Sequence, residues 1–462
     1  MVLLRSQLIT HINNNGVDGN QIKNKKISKS LSAVCWIGAL LVFGSIISDL
    51  EARSTSSTDD DKRVTSGAIN PNPILISNGQ ILSRALILDP SIMLAAKQAF
   101  QNSTKSDIIL QNAIEQLLTQ AKSFLSIRPS SVIEKGEIPA SGDKHDFLSL
   151  APYRWPDPNK PDGMPYINYD GKLNPEVYSV PDKRNMDDTV YRVKVLSLAY
   201  YFTDNPQYAS KAEELLQVWF LNNSTAMNPN LQYAEVVRGE NNNNGTMRGI
   251  LHGKYLPDLI EAIRLIQHSP SWSKQDQQGM ELWFSKYFDW LIYSEHGEKE
   301  RDQSNNHGTW YRVQASSIAF FLNKTGIAKS LLNDVWNELI APQIDSDGSL
   351  RYEKDRKNSL DYSTFNVLGL FRLASLGEKL KIDLWNQKSP DGAGLQKALD
   401  YVLPALLGKE TWPHPQFKLI DRKNMVDLLC RAAIHYSNNQ SYTQACESAS
   451  KMEINITLSH PP

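Results

Sequence analysis

Cysteine is nearly absent from this chain, with 3 in 462 residues. Cys35 falls in an apolar run near the start, so only Cys430 and Cys446 belong to the remainder, and two thiols cannot build a zinc framework. They either form one disulfide or stay unpaired, because spacing alone does not fix their geometry. Excess charge is missing too. With 49 Lys and Arg against 50 Asp and Glu the formal net charge is -1, which excludes a global field for nucleic acid. A polyanionic ligand would need a local basic patch. His145, His252, His296 and His307 follow no metal-ligand spacing and no Asp-x-Asp loop resembles a dedicated calcium site, so neither a metal nor another cofactor is expected. Strand-like alternation is scarce, and no fixed-length repeat of the solenoid kind recurs.

One long uncharged run does occur, at residues 31–48, preceded by Lys23, Lys25, Lys26 and Lys29. Its length just crosses a bilayer, and the lysines favour a cytosolic N-terminus, so a signal anchor is the first reading. A signal peptide cleaved between Ser45 and Ala52 is the other. Either places the remainder in the secretory pathway, as a single-pass membrane protein or a secreted one. Sequons at Asn102, Asn222, Asn223, Asn244, Asn323, Asn439 and Asn455 suit a glycoprotein there. The chain thus divides into a polar head (1–30), the apolar run (31–48), a Ser, Thr and Asp-rich linker (49–73), a globular body (74–420) and a C-terminal extension (421–462).

What is abundant is helical periodicity. Residues 86–125 carry it, and it recurs over 187–202, 208–221, 255–267, 274–293, 306–322, 329–339, 360–376 and 395–407. In the first of these recurrences Val190, Val193, Leu196, Ala199 and Phe202 step along one face. Connectors such as Thr203-Asp204-Asn205-Pro206 hold the breakers expected between antiparallel helices. The long Pro, Gly, Asp and Tyr-rich stretch 135–185 has no regular period. The economical architecture is all-α, an incomplete α/α toroid of antiparallel helical hairpins with loops crowding one end around an open cleft. The tail after Phe417, with 426–436 helical, is placed outside the ring.

Two segments carry groups suited to elimination across a uronic acid. Gln303 to Arg312 includes Asn306 and His307, and the later stretch holds Arg356 and Tyr362. Removing the C5 proton of a uronate is opposed by its carboxylate, so donors and positive charge around that carboxylate lower the barrier. Asn306 can donate an amide hydrogen, His307 can donate or act as base, and Arg356 supplies a planar cationic fork. Tyr362 can serve as base when ionised and as acid when protonated; because tyrosine titrates near about 10, Arg356 and His307 would have to favour its phenolate. Each residue also has a structural reading: Ser304, Asn305 or Asn306 as a helix cap, Arg356 as a surface charge, Tyr362 as core.

The run Ser141-Gly142-Asp143-Lys144-His145-Asp146 through Tyr153-Arg154-Trp155-Pro156-Asp157-Pro158, the later Met227 to Ala234, and Asn305-Asn306-His307-Gly308-Thr309-Trp310-Tyr311 resemble the alginate lyase superfamily. Its α/α-toroid members include mannuronate-specific alginate lyases and glucuronan lyases, and the similarity spans roughly residues 90–417. The resemblance implies that Asn306, His307 and Arg356 neutralise the substrate carboxylate while Tyr362 shuttles the proton, with His307 a base for the opposite C5 epimer. The Arg-to-Tyr spacing is offset from the family pattern, which keeps Arg351 in reserve. It further implies a cleft lined by Lys144, His145, Tyr153, Arg154, Trp155, Tyr233, Arg248 and Trp310, whose alternative is loop packing around proline.

The expected function is therefore a polysaccharide lyase acting by β-elimination on an anionic 4-linked uronan, alginate or glucuronan. A glycoside hydrolase on the same ring would need two poised carboxyls; Asp187 and Asp188 are adjacent and point apart on a helix. A noncatalytic surface glycan-binding protein is the third reading.

Overall fold

The computed structural model describes residues 86–102, 108–417 and 419–459. The expected membrane run, the polar head and the whole linker lie outside them. Helix α1 (Pro90–Gln101) starts where Asp89 accepts from the Ser91 and Ile92 amides with proline at its first position, and α2 (Ile108–Phe124) follows. The stretch without a period is loop, broken by β1 (Leu148–Leu150), β2 (Arg154–Trp155) and β3 (Ile167–Asn168). These strands are too short to show alternation in sequence. They exist through distant pairing, β1 running parallel to β4 (Tyr233–Val236) and β2 antiparallel to β3.

The remainder is helical: α3 (Asp182–Thr203), α4 (Pro206–Leu216), α5 (Leu256–Ile266), α6 (Lys274–Tyr293), α7 (Glu295–Arg301), α8 (Asn306–Phe321), α9 (Thr325–Asn333), α10 (Ser359–Glu378), α11 (Leu395–Leu406), α12 (Arg422–His435) and α13 (Gln440–Ser459). The connector read as a breaker behaves as one. Asp204 takes a left-handed φ of 55° to end α3, and Asn205 caps α4 ahead of Pro206.

Helices α3, α5, α8, α10 and α12 pack one against the next as an inner wall, while α2 and α4 lie on α3, α9 on α8, α11 on α10 and α13 on α12. The architecture is an incomplete α/α toroid. Inner helices are apolar on more than one face because they touch both wall and outer neighbours; in α3 the whole run from Thr189 to Ala199 is buried. Helix α12, expected outside the ring, belongs to the wall: Arg372 on α10 donates to Asp427 at 2.9 Å and to Asp258 on α5 at 2.7 Å, and Lys194 on α3 reaches the same Asp258 at 3.0 Å. Cys430 and Cys446 are joined in a disulfide that ties α13 to α12.

Because inner and outer helices alternate in direction, the inner five start at the same end. Their N-termini gather there, as the bond from the Asp421 amide to Asp361 at the heads of α12 and α10 illustrates. Unpaired amides and aligned dipoles make that end favourable to anions.

Candidate active site

At the head of α8 each residue of the Asn305-Asn306-His307-Gly308 run has its own task. Asn305 caps the helix by accepting from the His307 amide at 3.0 Å. Asn306 is fully buried, and both its backbone amide and its Nδ2 donate to Glu353 Oε1 at 2.8 Å, leaving one Nδ2 hydrogen over. His307 meets Glu300 through Nδ1 at 2.6 Å. Gly308 must lack a side chain, since a Cβ there would stand 1.9 Å from the Gln303 carbonyl oxygen.

The Glu300 contact fixes the imidazole. Burial by itself would lower the His307 pKa, but the buried Glu300 carboxylate outweighs it and holds the ring above its ordinary value. With Nδ1 turned to Glu300, Nε2 is the ring nitrogen left for another partner. Glu353 is fully buried and burial pushes its carboxyl up, against the two Asn306 donors.

At the head of α10 the Arg356 guanidinium lies 3.9 Å from the Tyr362 ring centroid and reaches Asp170 at 3.3 Å. Tyr362 hydrogen-bonds Tyr153 from the β1–β2 loop, and burial together with Tyr153 drives its phenol well above the ordinary value despite Arg356. The Tyr169 amide donates to the Tyr153 carbonyl at 2.9 Å, so the loop carrying Asp170 and the one carrying Tyr153 cover this pair together.

Thus Asn306, His307, Arg356 and Tyr362 occupy the heads of neighbouring inner helices or the loops leading into them. Arg351 is elsewhere, exposed and paired with Asp345 at 2.6 Å, whereas Arg356 lies against Tyr362. Among the expected cleft residues, Tyr153 joins the cluster, and the charge of exposed Arg248 acts on His307. Arg154 pairs with Glu240 at 3.6 Å. His145 bonds the Ala226 carbonyl through Nδ1 at 2.6 Å, and the neighbouring Lys144 carbonyl accepts from Lys135; both residues staple loops together. Trp155 presents its face to the Lys172 ammonium, 4.4 Å away, and Tyr233 packs on the small Leu148–Val180 cluster. Trp310 was misplaced. It is 2 % exposed, stacked on Phe365 at 4.7 Å with Nε1 donating to the Phe365 carbonyl, because one turn into α8 a side chain lies beneath the cleft floor.

Several groups here were not anticipated. Glu300 and Glu353 support the Asn306–His307 pair from outside the motif. Glu235 holds a left-handed φ of 53°, unusual for a residue with a Cβ, and its carboxyl lies in the field of His307, Arg248 and Lys183, with burial raising its pKa. Its amide is anchored by Ser149 Oγ at 2.8 Å, and that oxygen also meets His252 Nε2 at 3.0 Å. Lys254 stands among Asp187, Lys183, Asp421 and Glu235, and burial lowers its ammonium to about 8. The backbone strain at Glu235 had no sequence signal.

The sequence profile of the alginate lyase family matches residues 131–412. Among solved structures, an alginate lyase from Bacteroides ovatus is similar at 31% identity, covering 79% of this chain and 95% of that one with a TM-score of 0.74. Alginate lyase A1-III from Sphingomonas species A1 is 17% identical over 70% of this chain and 88% of that one, with a TM-score of 0.43. A variant of alginate lyase A1-III complexed with a tetrasaccharide is 16% identical over 78% and 92%, with a TM-score of 0.48. No curated protein matches the chain.

Proposed function

The chain belongs to the alginate lyase family and is a polysaccharide lyase, and from that premise we propose that it cleaves the β-linked mannuronate segments of alginate by β-elimination, with Tyr362 moving the proton. The observation that carries this reading is the pairing of two clusters, Asn306–His307–Glu300 and Arg356–Tyr362–Tyr153, at one end of the ring.

The ionised Tyr362 oxygen takes the C5 proton. The electron pair moves into the uronate carboxylate, where the Asn306 Nδ2 hydrogen, the His307 imidazolium and the Arg356 guanidinium stabilise the enolate-like charge. The pair then forms the C4–C5 double bond as the C4–O4 bond breaks, and the Tyr362 hydroxyl returns its proton to O4. One residue acting as base and then acid requires the C5 hydrogen and O4 on the same side of the ring, which is the arrangement in β-D-mannuronate. In α-L-guluronate the two lie on opposite faces, and Glu300 favours the protonated form of His307, which works against its serving as a second base for that epimer.

The test is ultraviolet absorbance of the unsaturated uronate while the protein acts separately on polymannuronate, polyguluronate and glucuronan. A rise greatest on polymannuronate supports the reading. A rise confined to polyguluronate or glucuronan overturns the substrate, and new reducing ends without the chromophore overturn elimination.

We also propose that the chain is exported, through residues 31–48 as anchor or signal. The Cys430–Cys446 disulfide suits an oxidising compartment. Uniform cytosolic fractionation of the tagged protein would refute this.

A further inference from the structure

A cavity of about 490 Å³ opens between the heads of α3, α5 and α12. It adjoins the site through Ser149, which lines it and holds the Glu235 amide, and through Lys183, which lines it and acts on Glu235. Glu235 in turn lies in the field of His307.

The cavity is blind. Its floor is Lys194 and Asp258, 3.0 Å apart, locked from behind by Arg372, which spans Asp258 and Asp427. On the far side of the same two residues lies a separate void of only about 20 Å³. The backbone at Leu86–Leu88 seals that void, its amides donating to Glu261 at 3.0 to 3.3 Å and its Ile87 carbonyl accepting from Arg431 at 3.2 Å. A polymer that enters from the catalytic side cannot thread through the ring.

The lining suits a uronate. Leu150, Val180 and Tyr178 give an apolar and aromatic face for a pyranose ring, Lys183 lines the cavity bonded to Asp187 at 2.8 Å, and Lys254 stands just behind the lining, 4.2 Å from the ring of Tyr255, which lines it. The volume lies within the range of small-ligand sites. We propose that this cavity receives the terminal uronate of the polymer, its carboxylate held by Lys254 and Lys183, so that the enzyme cuts from a chain end. The inference rests on the lyase reading of the adjoining site. Burial depresses the Lys254 ammonium, and an arriving carboxylate would stabilise its charged form.

The full chain acting on polymannuronate is followed at once by chromophore, viscosity and product size. End-directed cleavage gives unsaturated monomers or dimers from the first turnovers, with viscosity falling slowly for the bonds broken. Long unsaturated oligosaccharides early, with collapsing viscosity, overturn the proposal and leave the lyase reading intact; no chromophore on any uronan overturns both. In Lys254→Met, KM rises about tenfold, the loss of one charge-assisted hydrogen bond, with kcat little changed. Lys254→Arg restores it. An unchanged KM in folded Lys254→Met also overturns the proposal.

Discussion

The Arg356 guanidinium lies over the face of the Tyr362 ring, 3.9 Å from its centroid. A cation held there favours the phenolate, whereas burial and the bond to Tyr153 oppose it. The opposing effects win, so the resting phenol is protonated at neutral pH and the ionised form is a minority species. Replacing Tyr362 with Phe keeps the ring under Arg356 and removes only the proton-carrying oxygen. The expected loss in kcat is about 10²–10⁴-fold, with KM nearly unchanged and an unaltered circular dichroism spectrum. A Phe variant with near-normal turnover would remove Tyr362 from the chemistry.

Glu300 sets the pH behaviour through His307. The phenolate fraction grows with pH, so log(kcat/KM) climbs until His307 loses its proton, then flattens as the two titrations offset each other. Because Glu300 holds the His307 pKa above its ordinary value of about 6.5, the break lies above that pH. Glu300→Gln leaves the hydrogen bond possible but removes the charge, and the break moves to lower pH. Stability follows the same sign: the pairing stabilises fully below about pH 6.5 and fades as pH rises through the folded value. A pH profile identical in the variant would separate His307 from the rate.

How legible the molecule is depends on the distance over which each contact is made. Periodicity revealed the inner helices because a wall helix must be apolar wherever it packs, as Val190 to Phe202 shows. The Asn306–His307 pair was legible because both residues sit in one turn. Their supports were not: Glu353 reaches Asn306 across 47 positions and Glu300 reaches His307 from the preceding helix, and neither carboxyl has a local pattern to mark it. Strands β1 and β4 were invisible because three or four residues owe their conformation to a partner more than 80 positions away. Trp310 was read into the cleft from motif proximity, although a helix sends positions one turn apart to different depths. The place of α12 in the wall rests on Asp427 meeting Arg372, a long-range pair with no signature of its own.

Glu353 orients Asn306. Both Asn306 donors converge on one carboxyl oxygen, and both residues are buried, so Glu353→Ala strands them at about 1–3 kcal/mol each. The denaturant midpoint should fall accordingly, and kcat should fall with it because the amide proposed to meet the substrate carboxylate loses its reference. Glu353→Gln keeps an acceptor at the same place and should preserve most of the stability. A Gln variant as unstable as the Ala one would show that charge, not the acceptor, holds Asn306.

The disulfide is the remaining tie on the wall's last hairpin. Cys430 lies within α12 and Cys446 within α13, 16 positions apart, and both are buried. A cross-link closing a loop of that length restricts the unfolded chain by about 3 kcal/mol. Its loss should therefore be felt first in α13, whose contact with the ring runs mainly through α12, with Tyr442 also donating to Asp400 on α11, while Asp427 stays held by Arg372 from the other side. Cys446→Ser should lower the denaturant midpoint, and reductant should do the same to the wild type without adding to the loss in the variant. Lyase activity at low temperature should survive, because the catalytic pairs are carried by α8 and α10. A midpoint indifferent to both mutation and reductant would mean that the buried apolar face of α12 and the Arg372–Asp427–Arg431 ion pairs hold it without the disulfide.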